Sequence, residues 1–297
     1  MSDHRAGLRT AAAARSAHQP LEQPGTGRGG LQAGHRRSVV RRSPEQSAEK
    51  KDIQPHRSRY WLNAKPDPRK PRRIADICNV YPTCTRSQDE IVFSVDEPTG
   101  IQALERIAPD MAMSARKPLG REFEYIRHGT QTLIAALRVD TGAVHVRCGD
   151  TRTEEDFVRF VEDILAAHPG FRTYHIVLDQ LNTHKSESLV RFTARFCGIE
   201  DDLGVKGKSG ILESMPTREA FLERTDKPII FHYTPKHASW MNRIEVWFGT
   251  PTKKVVRRGN FCSKEDLRDK LPAFAHYFNV TMAKPFKWTY RGKPLEA

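Results

Sequence analysis

Short hydrophobic runs at residues 91–95, 174–178 and 229–233 are each bounded by polar or turn-forming residues. Apolar runs of about five residues with such borders are typical of strands buried on both faces of a sheet. The first two runs are followed directly by an aspartate, Asp96 and Asp179. The pattern therefore predicts three buried strands, two of which deliver an acidic residue to the edge of a sheet.

The segment between the first two runs predicts a hairpin and a helix. β-Prone residues 132–139 and 143–147 flank an Asp-Thr-Gly turn, which is typical of two antiparallel strands. Thr153 is a good helix cap, and an acidic first turn and an apolar stripe at helical spacing follow it. Further helices are predicted at about 186–196, 240–256 and 263–279. Strands interleaved with helices predict an α/β fold with a mixed sheet.

The first part of the chain has a different character. Residues 1–59 contain no Phe, Tyr or Trp, and residues 1–75 hold 17 Lys and Arg against 6 Asp and Glu, a net charge of +11 out of +13 for the whole chain. We expect residues 1–53 to be a disordered basic segment, because they cannot bury enough apolar surface to offset their ordering entropy. The charge fits either a nucleic-acid partner or a solvated tail. Residues 54–89 are interpreted as a basic linker with a short helix near 73–80, and the folded part as residues 90–297.

Cysteine usage and hydropathy limit the class of protein. The five cysteines are odd in number and none has CxxC spacing, so we expect reduced thiols and no zinc knuckle. No apolar run is long enough for a membrane span, and the first residues lack the apolar stretch of a signal peptide. The expectation is a soluble, cytoplasmic protein without a membrane partner.

Three acidic residues are the candidate chemical site. Asp96 and Asp179 follow predicted strands, and Glu245 lies in the first turns of a late predicted helix. Carboxylates that converge at a sheet edge repel one another unless a cation neutralises them. Two Mg²⁺ ions about 4 Å apart, held by such carboxylates, suit phosphodiester chemistry. Each acid taken alone is more typical of a turn, a cap or a solvated helix face.

The surroundings of these acids resemble a known family. The matching stretches are FSVDEPTGIQALER (93–106), EFEYIRHGT (122–130), IVLDQLNTHK (176–185), HYTPKHASWMNRIEVWF (232–248) and PFKWTY (285–290). They resemble the DDE transposases of the bacterial insertion-sequence branch of the mariner superfamily, from about residue 54 to the C-terminus.

The resemblance implies a ribonuclease-H-like fold with Asp96, Asp179 and Glu245 as the catalytic, metal-binding triad. It further implies Mg²⁺ or Mn²⁺ as cofactor, double-stranded DNA (transposon ends and target) as substrate, and a homodimer that brings two ends together. For localisation it implies a bacterial, nucleoid-associated cytoplasmic protein.

Two residues are candidates for supporting this triad. Asn242 is three residues before Glu245, and on one helix face it would orient that carboxylate or contact a phosphate. His184 follows Asp179 by five residues and either contacts DNA, hydrogen-bonds a metal ligand, caps the next helix or lies at the surface. Trp240, Trp247 and Phe248 fall at helical spacing, which favours core packing over base stacking.

Several basic residues near the acids are candidates for phosphate contacts. These are Arg127, His128, Lys236, His237, Lys253, Lys254, Arg257 and Arg258, with Arg106 and Arg121 as further possibilities. The last four residues of the main set also suit the C-terminal end of a helix without any DNA. Lys236 and His237 are equally compatible with an ordinary exposed loop.

The sequence departs from the family in its first residues and around Pro251. Residues 1–53 show no periodic pattern of the helix-turn-helix that reads transposon ends. Pro251 lacks the amide that would bond to Trp247, so a kink or an early stop is expected just after Glu245. Residues 198–227 are polar and glycine-bearing and are interpreted as an insertion.

These departures leave three functions open. The first is a transposase that cleaves and joins DNA at transposon ends. The second is a catalytically impaired, non-specific DNA-binding remnant of such an enzyme, and the third is a metal-dependent nuclease with another role. The intact triad favours the first.

Overall fold

The computed structural model describes residues 66–290 and residue 292. The predictions for residues 1–53, and for residues 54–65 of the linker, lie outside the described part. Its helices are α1 (Lys70–Val80), α2 (Thr83–Arg86), α3 (Glu154–Ala167), α4 (Glu187–Phe196), α5 (Met215–Leu222), α6 (Ile244–Pro251) and α7 (Lys264–Thr281). Its strands are β1 (Glu90–Asp96), β2 (Ile101–Arg106), β3 (Tyr125–Arg138), β4 (Val144–Gly149), β5 (Thr173–Leu178) and β6 (Ile229–Tyr233).

The strands form one mixed sheet whose centre is β1. β1 pairs antiparallel with β3 on one side and parallel with β5 on the other, and β6 extends the parallel half. β4 pairs with the second half of β3, and β2 pairs with its first half. The main order is therefore β4-β3-β1-β5-β6, with helices on both faces, which confirms the predicted ribonuclease-H-like mixed sheet.

The alternation of side chains along β1 explains the two helical layers. Ile91, Phe93 and Val95 face a core that is closed by α3, α4 and α5. Val92 faces the opposite side, where α1 packs, and α6 and α7 cover the neighbouring part of that side. Because side chains alternate along a strand, Asp96 lies on the same face as Val92 and next to α6.

The predicted elements are present, and the structure adds a two-stranded ribbon. The hairpin, the strands at the three apolar runs and the helices after Thr153 and Ser186 are confirmed. The ribbon consists of β2 and the first half of β3, and it has no counterpart in the prediction. Most of its side chains are partly or fully exposed, so no alternating apolar pattern marks it.

The beginning of the folded part is earlier than the sequence indicates. The sequence places it near Glu90, whereas α1 is already part of the core, with Ile77 and Tyr81 buried against the sheet. Residues 198–227, interpreted as an insertion, contain α5 and bury Leu212 and Phe221 in the same core as β1. Both segments are therefore structural parts of the domain.

None of the described helices is long and apolar enough to cross a lipid bilayer.

Candidate active site

Asp96 is the last residue of β1, and its environment disfavours a negative charge. Burial raises the pKa of the Asp96 carboxyl to about 7, and the charges of Asp179 and Glu97 add to this rise. The Glu97 amide, which donates to Asp96 Oδ1 at 2.8 Å, opposes it only in part. A carboxylate in such a position is stabilised by a nearby cation.

Asp179 follows β5, the strand parallel to β1, so the two aspartates emerge at the same edge of the sheet. The Leu181 amide donates to Asp179 Oδ1 at 2.9 Å, and His184 Nδ1 lies 2.8 Å from the same oxygen. Burial raises the pKa of Asp179, but the contact with His184 outweighs it and the pKa is lowered. Asp179 is therefore the ionised member of the aspartate pair.

His184 connects Asp179 to a second buried acid. The imidazole is fully buried, and its Nε2 lies 2.9 Å from Glu97 Oε2. Burial lowers the pKa of His184, but Asp179 and Glu97 together raise it to about 9. The structure therefore selects one of the four roles considered for His184, a partner of a candidate metal ligand, and excludes surface exposure.

Glu97 is a site residue that the sequence pattern does not reveal. In the sequence it is only the second member of an acidic pair, and its partner His184 is 87 positions away. Glu97 directly follows β1 and is buried, and Thr183 Oγ1 also donates to it at 3.3 Å. Glu97 thus holds the loop of residues 179–186, called the Asp179 loop, from inside the fold.

Glu245 is the second residue of α6 and completes the set of three acids. Burial raises the pKa of Glu245, a hydrogen bond from Ser239 opposes this, and the charge of Asp179 adds to the rise. Since the charge of Asp179 also acts on Asp96, all three acids belong to one electrostatic site. The structure thus places Asp179 where its charge acts on both Asp96 and Glu245.

Asn242 supports the triad in a way that differs from the prediction. It lies before α6 in extended conformation, so it does not share a helix face with Glu245. Its side chain is fully buried, donates from Nδ2 to the Val95 carbonyl at 2.8 Å and accepts from the Ser94 hydroxyl. The Ile244 amide donates to the same Ser94 hydroxyl at 3.0 Å. Asn242 and Ser94 therefore fasten the start of α6 to the end of β1.

The aromatic residues of segment 285–290 pack beside the place where Asn242 and Ser94 join α6 to β1. The Arg243 guanidinium lies 3.8 Å from the ring centroid of Phe286 and 5.6 Å from that of Trp288. The prediction that Trp240 packs in the core is wrong, because it is 49% exposed and contacts Tyr290 at the surface. Its segment is a single 3₁₀ turn, so the assumed helical spacing does not apply to it.

Pro251 changes the helix without stopping it. α6 ends at Pro251 and the chain continues as a π-helical turn, Thr252–Val256, in which the Arg257 amide donates to the Thr252 carbonyl at 2.9 Å. Pro251 lacks the amide that would bond back to the Trp247 carbonyl, and the wider turn begins directly after it. The distortion lies after Glu245, so it leaves this acid in place. Lys253, Lys254, Arg257 and Arg258 are all exposed on this turn and just after it.

The other residues predicted to contact phosphate differ in whether their side chains are exposed or already paired with an acid. Arg127, Lys236 and His237 are exposed, the latter two in the loop that leads to the 3₁₀ turn before Glu245. His128 Nε2 lies 2.6 Å from Glu105 Oε2 across the ribbon, so it already has an acidic partner.

The two further candidates, Arg106 and Arg121, bind backbone carbonyls. Arg106 donates to Phe123 at 3.2 Å, and Arg121 donates to Gly259 at 2.8 Å. Their hydrogen bonds support the loop of the ribbon and the end of the π turn rather than leaving them free for DNA.

The acids fit a divalent cation by the chemistry of their donors. Hard carboxylate oxygens favour Mg²⁺ or Mn²⁺, and such a cation would offset the burial and the neighbouring acidic charges that raise the pKa of Asp96. Within the described residues, no three His, Cys, Asp or Glu side chains form a ready-made metal site. Mg²⁺ commonly takes only one or two protein carboxylates and completes its shell with water and phosphate oxygens, so an incomplete protein shell suits a nucleic-acid substrate.

Comparison with family models decides the family. Residues 90–268, more than half of the chain, match the DDE superfamily endonuclease model. The chain belongs to this family. The match covers all three acids and confirms the predicted DDE relationship and nuclease class.

Comparisons with individual proteins do not narrow the assignment beyond the family. No curated protein matches the chain. Among solved structures, the Mos1 transposase paired-end complex with left transposon end is 12% identical, covers 82% of this chain and 70% of that one, and gives a TM-score of 0.29. The Mos1 strand transfer complex is 14% identical over the same shares, with a TM-score of 0.30. The structure of the Mos1 catalytic domain and Raltegravir with Mg is 10% identical and covers 75% of this chain and 100% of that one, with a TM-score of 0.26.

Proposed function

We propose that the chain is a transposase of the insertion-sequence type that cleaves DNA at transposon ends and transfers the strands to a target. The observation that carries the proposal is the meeting of Asp96, Asp179 and Glu245 at one edge of the sheet in a DDE-family domain. Asp96 and Glu245 are partly buried beside the charge of Asp179, which is costly for ionised carboxylates and favours a role for them in binding cations.

The division of labour among the residues follows from their surroundings. Asp96, Asp179 and Glu245 would hold Mg²⁺ or Mn²⁺, and the bound ions would activate the attacking oxygen and stabilise the leaving one. His184, as a buried cation, fixes the orientation of Asp179. Asn242 keeps Glu245 at a set distance from Asp96 by tying α6 to β1. The exposed basic residues on the π turn bind the DNA backbone.

The remaining partners are part of the same proposal. The DNA is double-stranded, comprising transposon ends and target, and two copies of the chain act together because two ends must be joined. The enzyme works in the bacterial cytoplasm, associated with the nucleoid. Two metal ions about 4 Å apart serve each active site.

The proposal predicts metal-dependent cleavage by the full chain. We expect supercoiled plasmid to be nicked in Mg²⁺ or Mn²⁺ and to stay intact in EDTA or Ca²⁺, because Ca²⁺ prefers a looser shell with more ligands than Mg²⁺. The measurement is the rate of open-circle formation on a gel. Salt-sensitive DNA binding without nicking in any metal would instead identify the impaired remnant.

Cleavage of any DNA at similar rates would identify the third function, a nuclease with another role. The comparison needs two plasmids that differ only in carrying the terminal repeats of the element. Products in which the cut ends are joined to target DNA are expected only from a transposase.

The π turn gives a second prediction, on DNA affinity. Replacing Lys253 and Lys254 by alanine should weaken binding and lower the slope of log K against log salt concentration by about 0.9 for each phosphate that is no longer neutralised. The readout is fluorescence anisotropy of a labelled duplex at several salt concentrations. The control is the pair Arg191→Ala and Arg195→Ala on α4, which removes two exposed charges from the opposite face of the sheet. Equal slopes for the two double variants would contradict the assignment.

A further inference from the structure

A buried cluster of charged side chains lies behind the loop that carries Asp179. Its members are Lys185 at the end of that loop, Arg218 and Glu219 on α5, and Arg73 on α1, and each is at most 8% exposed. Charged side chains of these types are almost never this buried unless they are paired. Apart from Lys185, these side chains come from the two segments that the sequence suggests are accessory, the linker and the apparent insertion.

Both ends of the Asp179 loop are fastened through this cluster. Gln180, directly after Asp179, donates from Nε2 to the Thr234 carbonyl at 2.7 Å and accepts from Lys185 Nζ at 2.7 Å. Lys185, directly after His184, also donates to Glu219 Oε2 at 2.8 Å. The Lys185 ammonium therefore closes the loop on itself and fixes it to α5.

α5 holds the backbone of the loop as well as its side chains. Arg218 Nε donates to the Lys185 carbonyl at 2.7 Å, and Arg218 Nη1 donates to the Leu212 carbonyl at 3.0 Å. The Tyr233 hydroxyl donates to the His184 carbonyl at 2.7 Å from the adjacent strand β6. The two peptide units that follow His184, the partner of Asp179, are thus each held by a side chain from a neighbouring element.

Glu219 is where α1 joins this support. Its second carboxylate oxygen accepts from Arg73, and Arg73 also lies 3.7 Å from Asp67. The buried Glu219 carboxylate therefore binds both Lys185 of the Asp179 loop and Arg73 of α1. The sequence separation of Arg73 and Glu219 is 146 residues, so only the fold brings them together.

We propose that Glu219 is a positioning residue for the reaction at Asp179, acting through Lys185 and Gln180. Arg73 makes α1 part of the same support. The inference rests on the proposed function. Buried ion pairs add little net stability compared with apolar packing, so a geometric role accounts better for retaining charges here than stability does. Outer partners of metal ligands typically change metal affinity or activity by about 10- to 100-fold when they are removed.

The test compares Glu219→Gln with Glu213→Gln, an exposed acid on the same segment, in the full chain. Three quantities are measured: the single-turnover cleavage rate in Mn²⁺, the affinity for Mn²⁺ by electron paramagnetic resonance without DNA, and the affinity for duplex DNA. We expect Glu219→Gln to lower the cleavage rate and the Mn²⁺ affinity by about 10- to 100-fold. DNA affinity should stay unchanged, and Glu213→Gln should behave as the parent chain.

Lys185→Met and Arg73→Gln extend the test along the cluster. If the three residues act as one support, combining Glu219→Gln with Lys185→Met should cost no more than the larger single effect. Arg73→Gln should lower the cleavage rate in the same direction. Independent, additive losses would overturn the inference.

Two controls separate this inference from stability and from the proposed function. If Glu219→Gln lowers only the free energy of unfolding and leaves rate and Mn²⁺ affinity unchanged, the inference is wrong. If the parent chain does not cleave DNA, the proposed function fails, and amide hydrogen exchange of residues 179–186 decides the inference instead. Faster exchange there in Glu219→Gln than in Glu213→Gln supports the positioning role, and equal exchange overturns it.

Discussion

Replacing Asp179 by asparagine should abolish DNA cleavage while leaving the chain folded. The substitution keeps the side-chain shape but removes the negative charge that a divalent ion and the His184 cation both require. We expect the single-turnover cleavage rate in Mg²⁺ to fall by at least about 100-fold, the loss typical when one group that stabilises transition-state charge is removed. The measurement is cleavage of a labelled duplex at saturating protein.

The matched control for this variant is Asp201→Asn. Asp201 is exposed and lies outside the strands and helices, so its replacement should leave the rate unchanged. DNA affinity should remain close to that of the parent chain in both variants, since the proposed phosphate contacts lie on other segments. Cleavage that survives Asp179→Asn would refute the proposed mechanism directly.

Replacing His184 by alanine should give the largest loss of stability among the site residues. The side chain of Glu97 is fully buried, and His184 is the cation that faces it. Breaking a buried ion pair by removing one partner leaves an uncompensated charge and costs about 3–5 kcal/mol. The free energy of unfolding in urea, followed by circular dichroism, should fall by that amount, and cleavage should disappear with it.

The Glu97→Gln and His184→Ala double variant tests the cause of that loss. Removing the charge of Glu97 as well should restore part of the stability, because the double variant no longer buries an unpaired carboxylate. His276→Ala, at an exposed position on α7, serves as the control and should be neutral. A double variant that is less stable than His184→Ala would show that the two side chains are not an electrostatic pair.

Much of the central sheet is predictable because its signals are local. Buried strands such as β1 and β5 appear in the sequence as continuous apolar runs, and the position of an acid directly after each run follows from the sequence alone. The capped helix α3 is likewise encoded by Thr153 and the residues just after it. The ribbon of β2 and β3 is not predictable this way, since its residues are stabilised by pairing with each other rather than by an apolar face.

The residues of the candidate site likewise differ in whether the sequence alone predicts their roles. Asp96, Asp179 and Glu245 can be proposed from their places beside strands and in a helix, with the family resemblance in support. The role of Asn242 cannot, because the expected helix does not include it and its partners lie on β1, about 150 positions earlier. Side-chain contacts over such separations depend on how the layers pack.

The sequence by itself therefore determined the acids, the strands that deliver two of them, and the basic character of the first residues, all of which follow from local pattern and charge. Only the tertiary structure decided how the acids are held: Glu97 against His184, Asn242 against Val95, and Glu219 between Lys185 and Arg73. The physical reason is that a buried charge or amide must find its partner wherever the fold places one, and sequence distance carries no information about that choice.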